Sequence, residues 1–128
     1  RLVGSEMCIR DSYMGTKAGI DHVIRTVANE FGERGIRANS ISPGLTASPM
    51  TKDAMAAPGL EEAFLREYPL GRIGTSEDIA AMAVFLCSDE CFLSGQNLQV
   101  HGGLTLRRNP RSADIDASVA QAMAKLEN

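Results

Sequence analysis

A tyrosine and a lysine four positions apart are the residues of this sequence best suited to catalysis. Tyr13 and Lys17 occur in the run Tyr13-Met-Gly-Thr-Lys17, and residues at i and i+4 of a helix share one face. An ammonium group near a phenol favours the phenolate, which makes a tyrosine a usable proton donor at neutral pH. The pair therefore indicates general acid–base chemistry, although an isolated Tyr-x-x-x-Lys spacing is common by chance.

The residues that follow Lys17 have the pattern of a long amphipathic helix. Gly32 and Gly35 are expected to end it, and the run Ile36-Arg-Ala-Asn-Ser-Ile41 predicts a short strand before the turn Ser42-Pro43-Gly44. The apolar positions repeat at helical spacing and predict a face that packs on a core: Ile20, Val23, Ile24, Val27, Ala28 and Phe31.

These motifs, taken in order, resemble those of the short-chain dehydrogenase/reductase family. The matching elements run from Tyr13 to Gly103, and they are Tyr13/Lys17, Ala18, Arg37-x-Asn39-x-Ile41-x-Pro43-Gly44 and Gly95-Gln96…Val100-x-Gly102-Gly103. The resemblance implies an α/β fold, here the C-terminal portion of a Rossmann-type doubly wound parallel sheet. It also implies an NAD- or NADP-dependent oxidoreductase that interconverts a secondary alcohol and a ketone by hydride transfer.

The resemblance implies roles for individual residues as well. Tyr13 would be the general acid or base, and Lys17 would tune Tyr13 and bind the nicotinamide ribose hydroxyls. Ser48 stands where the family has a threonine, and it keeps a hydroxyl that can donate and accept a hydrogen bond. Without the upstream pair, Pro43-Gly44 would indicate only a strand-to-loop turn. Behind that pair we expect the nicotinamide to be positioned by Pro43, Gly44, Thr46 and Ser48.

Composition excludes several classes of function. A chain of 128 residues is long enough for one domain with a core, and a net charge of −3 gives no reason to expect nucleic acid or an anionic membrane as a partner. No apolar run approaches the roughly 20 residues that cross a bilayer. Three cysteines form no paired framework and favour a reducing, cytoplasmic location. Cys87 and Cys91 lack a histidine cluster, so we expect buried apolar residues and no metal site.

Residues 1–12 differ from the rest of the chain. They have neither apolar periodicity nor the basic start and apolar centre of a signal peptide. The segment resembles one translated reading frame of the transposase adapter that is used to prepare sequencing libraries. We therefore predict that residues 1–12 are not native and that residues 13–128 are the C-terminal part of a single NAD(P)-binding domain. An ordinary flexible N-terminus is the alternative.

The resemblance also indicates what this sequence lacks. In the family, the first half carries the Gly-rich turn over the cofactor pyrophosphate, the residue that selects NAD or NADP, and the catalytic serine. No G-x-G-x-x-G follows a predicted strand here, and Ser12 is too close to Tyr13 to be that serine. We expect a truncated and inactive fragment of an oxidoreductase. The alternative is a non-catalytic Rossmann-like binding or assembly module.

Residues 49–70 are predicted to form a substrate lid, helical in propensity and interrupted at Pro58-Gly59. Its larger side chains either line a pocket for a small-molecule carbonyl or alcohol substrate or serve as core or subunit contacts, and the sequence leaves both open. They are Met55, Leu60, Phe64, Leu65 and Tyr68. The family buries much of the Tyr13 helix between subunits, so the full-length protein is expected to be a homodimer or homotetramer.

Two further helices and a last strand complete the prediction. Thr75-Ser76-Glu-Asp reads as a helix N-cap with acidic residues in the first turn, and Gly95 to Val100 as a strand. His101 stands where the family commonly has an aspartate, and it is assigned a structural role. The predicted buried face after the cap is Ile79, Ala80, Ala83, Val84, Leu86 and Cys87. A tail helix over 112–126 would dock through Ile115, Val119, Met123 and Leu126.

Overall fold

The structure, a computed structural model, describes residues 5–126, apart from the side chains of residues 5–11 and 54. Short 3-10 turns at Gly32–Arg34 and Leu104–Leu106 supplement the regular elements. In chain order those elements are α1 (Ser5–Phe31), β1 (Ser40–Pro43), α2 (Lys52–Met55), α3 (Leu60–Leu65), α4 (Ser76–Cys87), β2 (Asn97–Val100) and α5 (Ser112–Leu126).

The two strands pair in parallel. The Ser40 amide donates to the Gln96 carbonyl at 2.9 Å, and the Gly44 amide donates to the Val100 carbonyl at 3.3 Å. The partner number minus the donor number is the same at both ends, which is the register of a parallel pair. The described part of the chain divides into two compact units, one up to Ser40 with Ser88–Leu98 and one of Ile41–Cys87 with the residues from Gln99 onward.

The first unit is organised on α1, which starts earlier than predicted. The helix begins at Ser5 and not near Tyr13, because no glycine or proline interrupts the residues between them. It ends at Phe31, and Gly35 then takes a left-handed φ of 75° as expected of a helix-ending glycine. The origin of residues 1–12 as adapter stays a prediction.

The predicted apolar face of α1 is only half covered. Ile24, Val27, Ala28 and Phe31 are partly buried, whereas the side chains of Ile20 and Val23 are 46% and 59% exposed. The expectation that the whole stripe packs on a core was therefore wrong for this chain, since Ile20 and Val23 stay largely exposed.

The first strand lies further along the chain than predicted. Residues 36–39 are not in the ladder, because Asn39 uses its side chain to hold the loop before β2. Its amide donates to the Leu93 carbonyl at 2.8 Å, and its oxygen accepts from the Gln96 amide at 3.1 Å. Main-chain pairing is not lost altogether over the first half of the predicted strand, since the Gly95 amide donates to the Ala38 carbonyl at 2.6 Å.

The second unit contains most of the buried apolar side chains of the described residues, and Cys91 in the first unit is also buried. Tyr68, Ala63 and Leu104 are nearly inaccessible, and α3 packs on α5 across the point where Gly59 meets Ser118. A Cβ on Gly59 would collide with the Ser118 main chain, and Gly59 has a φ of 82°. A glycine is therefore required at this crossing for both close approach and backbone conformation.

The predicted start of α4 and the predicted range of α5 are confirmed, but not all of their predicted contacts are. Thr75 caps α4, since its hydroxyl accepts from the Asp78 amide while the Asp78 carboxylate accepts from the Thr75 amide at 2.8 Å. The predicted inner face of α4 was wrong at Ala80, Val84 and Cys87, which are exposed. The tail helix α5 has the predicted range and buries Ser118, while Met123 and Leu126, predicted to dock, are exposed.

Candidate active site

The predicted catalytic pair lies together on α1. The Lys17 ammonium is 5.3 Å from the centroid of the Tyr13 ring, within the range of a cation–π contact. Tyr13 is 61% exposed, so a substrate can reach its phenol. The i, i+4 spacing thus brings the two side chains into contact as expected.

Asp21, one turn beyond Lys17, fastens this face of α1 to the starts of both strands. Its Oδ1 accepts from the Ser40 hydroxyl at 2.7 Å and from the Asn97 side-chain amide at 2.9 Å. Asn97 also donates to Ser40 Oγ at 3.0 Å, which closes a three-membered network. The bonds from Ser40 and then Asn97 lower the pKa of Asp21, because they stabilise its carboxylate form.

The predicted nicotinamide residues form one continuous loop in the second unit. Pro43 ends β1, and Gly44 follows at a close approach, because a Cβ there would collide with the Tyr68 hydroxyl. Beyond it, Leu45 and Ala47 bond the Gly74 main chain on one side, with the Ala47 amide donating to the Gly74 carbonyl at 2.9 Å and the Gly74 amide donating to the Leu45 carbonyl at 3.0 Å.

Thr46 lies between these two residues, and its own amide and carbonyl point away from Gly74. In a parallel bridge, the amide and carbonyl of the central residue point to the opposite side from the bonds of its neighbours. The Thr46 carbonyl accepts from the Thr51 hydroxyl at 2.7 Å. The Thr46 amide makes no hydrogen bond to any residue that the structure describes. The loop therefore offers one partly exposed, unpaired amide donor beside Ser48.

Thr51 is a residue that sequence reasoning missed. Its hydroxyl accepts from the Ser48 amide at 3.0 Å and lies 3.1 Å from Ser48 Oγ. Ser48 is thus held by a hydroxyl three residues later, in a turn that resembles a helix cap ahead of α2. The Ser-x-x-Thr spacing was the available signal for this contact.

A cavity of about 520 Å³ adjoins Ser48. Its walls are mainly apolar and carry one cation, and the lining residues are Ala47, Ser48, Pro49, Lys52, Met55 and Ala56. The sequence did not decide whether Met55 and Tyr68 line a pocket or belong to the core. Met55 lines this cavity. Tyr68 belongs to the core, at 2% exposed.

Tyr68, which the sequence left open between pocket and core, makes a hydrogen bond that the sequence did not predict. Its hydroxyl accepts a hydrogen bond from the Leu45 amide at 2.6 Å, 23 residues back along the chain. Burial raises the pKa of Tyr68, partly offset by that bond, so the residue is a neutral phenol at neutral pH. Nothing in the local spacing signals this contact, because it depends on how the chain returns to β1.

His101, in the family's aspartate position, has local partners. Its Nε2 lies 2.6 Å from Gln99 Oε1 and 3.2 Å from the Thr105 hydroxyl. These contacts fit the structural role that was assigned to it. Among the residues described, no group of histidine, cysteine or acidic side chains has the arrangement of a metal site. None of the described helices is long and apolar enough to cross a membrane.

Comparison with known proteins places this geometry in a family. A family model described as enoyl-(acyl carrier protein) reductase matches residues 3–105. 3beta-hydroxysteroid dehydrogenase 1 of Eggerthella lenta is 40% identical over 95 residues, which are 73% of this chain and 36% of that protein. The chain therefore belongs to the short-chain dehydrogenase/reductase family, and it spans about a third of the length of that relative.

Solved structures agree in fold. A 4-hydroxyisoleucine dehydrogenase complexed with NADH aligns with a TM-score of 0.72 and 29% identity, over 77% of this chain and 41% of that one. A second structure is that of a protein assigned as a 2-deoxy-D-gluconate 3-dehydrogenase from Agrobacterium tumefaciens, with bound NADP. It aligns with a TM-score of 0.71 and 38% identity, over 75% of this chain and 39% of that one. These matches confirm the expected α/β, Rossmann-type fold.

Proposed function

We propose that this chain is the nicotinamide-side portion of an NAD- or NADP-dependent oxidoreductase that interconverts a secondary alcohol and a ketone. The observation that carries the proposal is the contact of Lys17 with an exposed Tyr13 on α1, in a chain that belongs to this family.

Tyr13 passes the proton. In the reducing direction its phenol donates to the carbonyl oxygen as that oxygen gains charge, and in the oxidising direction the phenolate removes the hydroxyl proton. The Lys17 ammonium stabilises the phenolate by charge and donates to ribose hydroxyls of the cofactor. The bound dinucleotide supplies the hydride chemistry, while the chain binds, orients and protonates.

The loop after β1 fits a nicotinamide carboxamide. A carboxamide needs both a donor and an acceptor, and the loop presents the unpaired Thr46 amide together with the Ser48 hydroxyl. Gly44 permits close approach of the backbone to a flat ring, and Pro43 fixes the direction of the turn. The adjoining cavity around Met55 suits an apolar part of the substrate, in keeping with its proposed role as part of a lid.

We further propose that residues 13–128 act only with a native upstream half, and the two together are called the extended protein below. The sequence contains no Gly-rich turn to hold the charged pyrophosphate on a helix N-terminus. The two strands of the described sheet also leave β1 with one unpaired edge. Cys87 and Cys91, the free cysteines among the described side chains, fit a reducing cytoplasm.

The proposal is tested by titrating NADH and NADPH into the 128-residue chain and into the extended protein, with fluorescence of the reduced nicotinamide as readout. The chain alone is expected to show no saturable binding, and the extended protein is expected to bind one of the two. Failure of the extended protein to bind either dinucleotide would refute the proposal and favour a non-catalytic module.

A further inference from the structure

The loop that carries the unpaired Thr46 amide is fixed by contacts of two kinds. Thr51 and the Gly74 main chain hold its far end, through bonds to the Thr46 carbonyl, the Ser48 amide and the Ala47 amide. Its near end, directly after Gly44, is held by a side chain from a distant part of the sequence, Tyr68.

Tyr68 is itself held rigidly. Its side chain is 2% exposed, in the well-packed part of the second unit. A Cβ on Gly102 would lie 3.1 Å from the Tyr68 ring, and one on Gly44 would collide with the Tyr68 hydroxyl. Two glycines therefore allow the main chain to approach the ring from two directions. A buried aromatic ring packed in this way has little freedom, so its hydroxyl is a fixed reference point.

The hydroxyl acts on the amide next to the functional one. The Leu45 amide donates to Tyr68 Oη at 2.6 Å, and this bond fixes the peptide plane between Gly44 and Leu45, which adjoins the plane that carries the Thr46 amide. Without it, Leu45 would keep only the bond from its carbonyl to the Gly74 amide. The peptide group between Leu45 and Thr46 carries that carbonyl and the Thr46 amide, so its rotation moves the free donor directly.

We propose that Tyr68 is a positioning residue, whose buried hydroxyl holds the Leu45 amide and thereby aims the unpaired Thr46 amide at the nicotinamide carboxamide. Tyr68 follows α3, at the end of the proposed lid segment, so the same hydroxyl joins that segment to the cofactor loop. The inference rests on the proposed function for the identity of the ligand, but the tie between Tyr68 and Leu45 can be tested without any cofactor.

The first experiment is amide hydrogen exchange by NMR on the 128-residue chain with Tyr68→Phe, which removes only the hydroxyl. Exchange of the Leu45 amide is expected to accelerate about tenfold, the equivalent of one net hydrogen bond. The Gly44 and Ala47 amides, which donate to Val100 and Gly74, serve as internal references and should be unchanged. An unchanged Leu45 rate, or equal acceleration of all three amides, would overturn the positioning role.

The second experiment separates the nicotinamide from the rest of the cofactor in the extended protein. Tyr68→Phe is expected to lower the affinity for NADH or NADPH, whichever of them binds, by up to about tenfold. The affinity for ADP-ribose, which lacks the nicotinamide, should equal that of the parent. Ser118→Ala removes another buried hydroxyl, at 4% exposure on α5, and should change neither affinity.

The outcomes distinguish the two proposals. Equal weakening of the dinucleotide and of ADP-ribose, or no weakening of either, would overturn the role of Tyr68 at the nicotinamide. Absence of dinucleotide binding by the parent extended protein would refute the proposed function together with the nicotinamide assignment. The exchange experiment would then still decide whether Tyr68 positions Leu45.

Discussion

Asp21 lies at i+8 from Tyr13 and i+4 from Lys17, so all three share one face of α1. Its carboxylate accepts two hydrogen bonds, from the first residue of each strand. Because both donors favour the charged form, the pKa of Asp21 is lower in the folded chain than in the unfolded one. The orientation of the face that carries Tyr13 and Lys17 is thus coupled to the ionisation of a neighbouring acid.

The pH dependence of stability follows from that shift. A group with a lowered folded pKa stabilises the fold above its unfolded value, near pH 4, and this contribution is lost as the pH falls through the lower folded value. We expect the thermal midpoint of the parent to fall more steeply below pH 4 than that of Asp21→Asn, which cannot ionise. Parallel curves between pH 7 and 2.5, recorded by circular dichroism, would contradict the network.

At this scale, local spacing was informative and distant contacts were not. Tyr13 and Lys17 meet because side chains four positions apart lie next to each other on any helix. The sequence was therefore sufficient to predict the contact. The bond from Leu45 to Tyr68 spans 23 residues and depends on tertiary packing, which leaves no periodic signal. The same is true of Asn97, 76 residues from Asp21.

At the scale of elements, the breaks between helices were predictable and their exact contacts were not. Pro58-Gly59 interrupts the lid segment between α2 and α3 as predicted, because proline and glycine end helices in any context. Residues 36–39 were misassigned to the strand because Asn39 prefers side-chain bonds that no strand pattern reveals. The exposure of Val84 and Cys87 was missed because helical periodicity does not say which neighbours are present.

The crossing of α3 and α5 provides a test at this scale. Gly59 has a φ of 82° and its Cβ position collides with Ser118, whereas Gly71 has a φ of 68° with nothing within 4 Å. Gly71→Ala should lower the free energy of unfolding by about 1 kcal/mol, because alanine is strained in the left-handed conformation. Gly59→Ala should cost about 1–3 kcal/mol more, since the helices must separate. Equal urea midpoints for the two variants would contradict the described packing.

At the scale of the whole molecule, the exposed apolar side chains of α1 call for a partner surface. Ile20 and Val23 are 46% and 59% exposed on the helix that carries the proposed catalytic pair. Burial of apolar surface contributes a free energy of roughly 25 cal/mol per Å², so covering these side chains would stabilise the protein. We propose that subunits of the extended protein meet on this face, since the family buries this helix in the same way.

The corresponding prediction is that the extended protein is a dimer or a tetramer at micromolar concentration. Val23→Glu should shift it towards the monomer, because the contact would then bury a charge. Asn29→Glu, at an exposed position on another side of α1, is the matched control and should leave the mass unchanged. Light scattering coupled to gel filtration reports the mass, and a strictly monomeric parent would count against the assembly.

The motifs and their order predicted the family correctly, and through it the α/β class, because each motif consists of residues close in sequence. Substrate selection could not be predicted in the same way. It depends on the shape of the cavity beside Ser48 and on the segment proposed as a lid, which are set by packing.

The most direct test of the central claim is ketone reduction by the extended protein with Tyr13→Phe. Phenylalanine keeps the ring under Lys17 but cannot pass a proton, so kcat should fall about a hundredfold to ten-thousandfold while dinucleotide affinity stays close to that of the parent. Retention of the parent's rate by Tyr13→Phe would show that Tyr13 does not supply the proton and that the proposed mechanism is wrong.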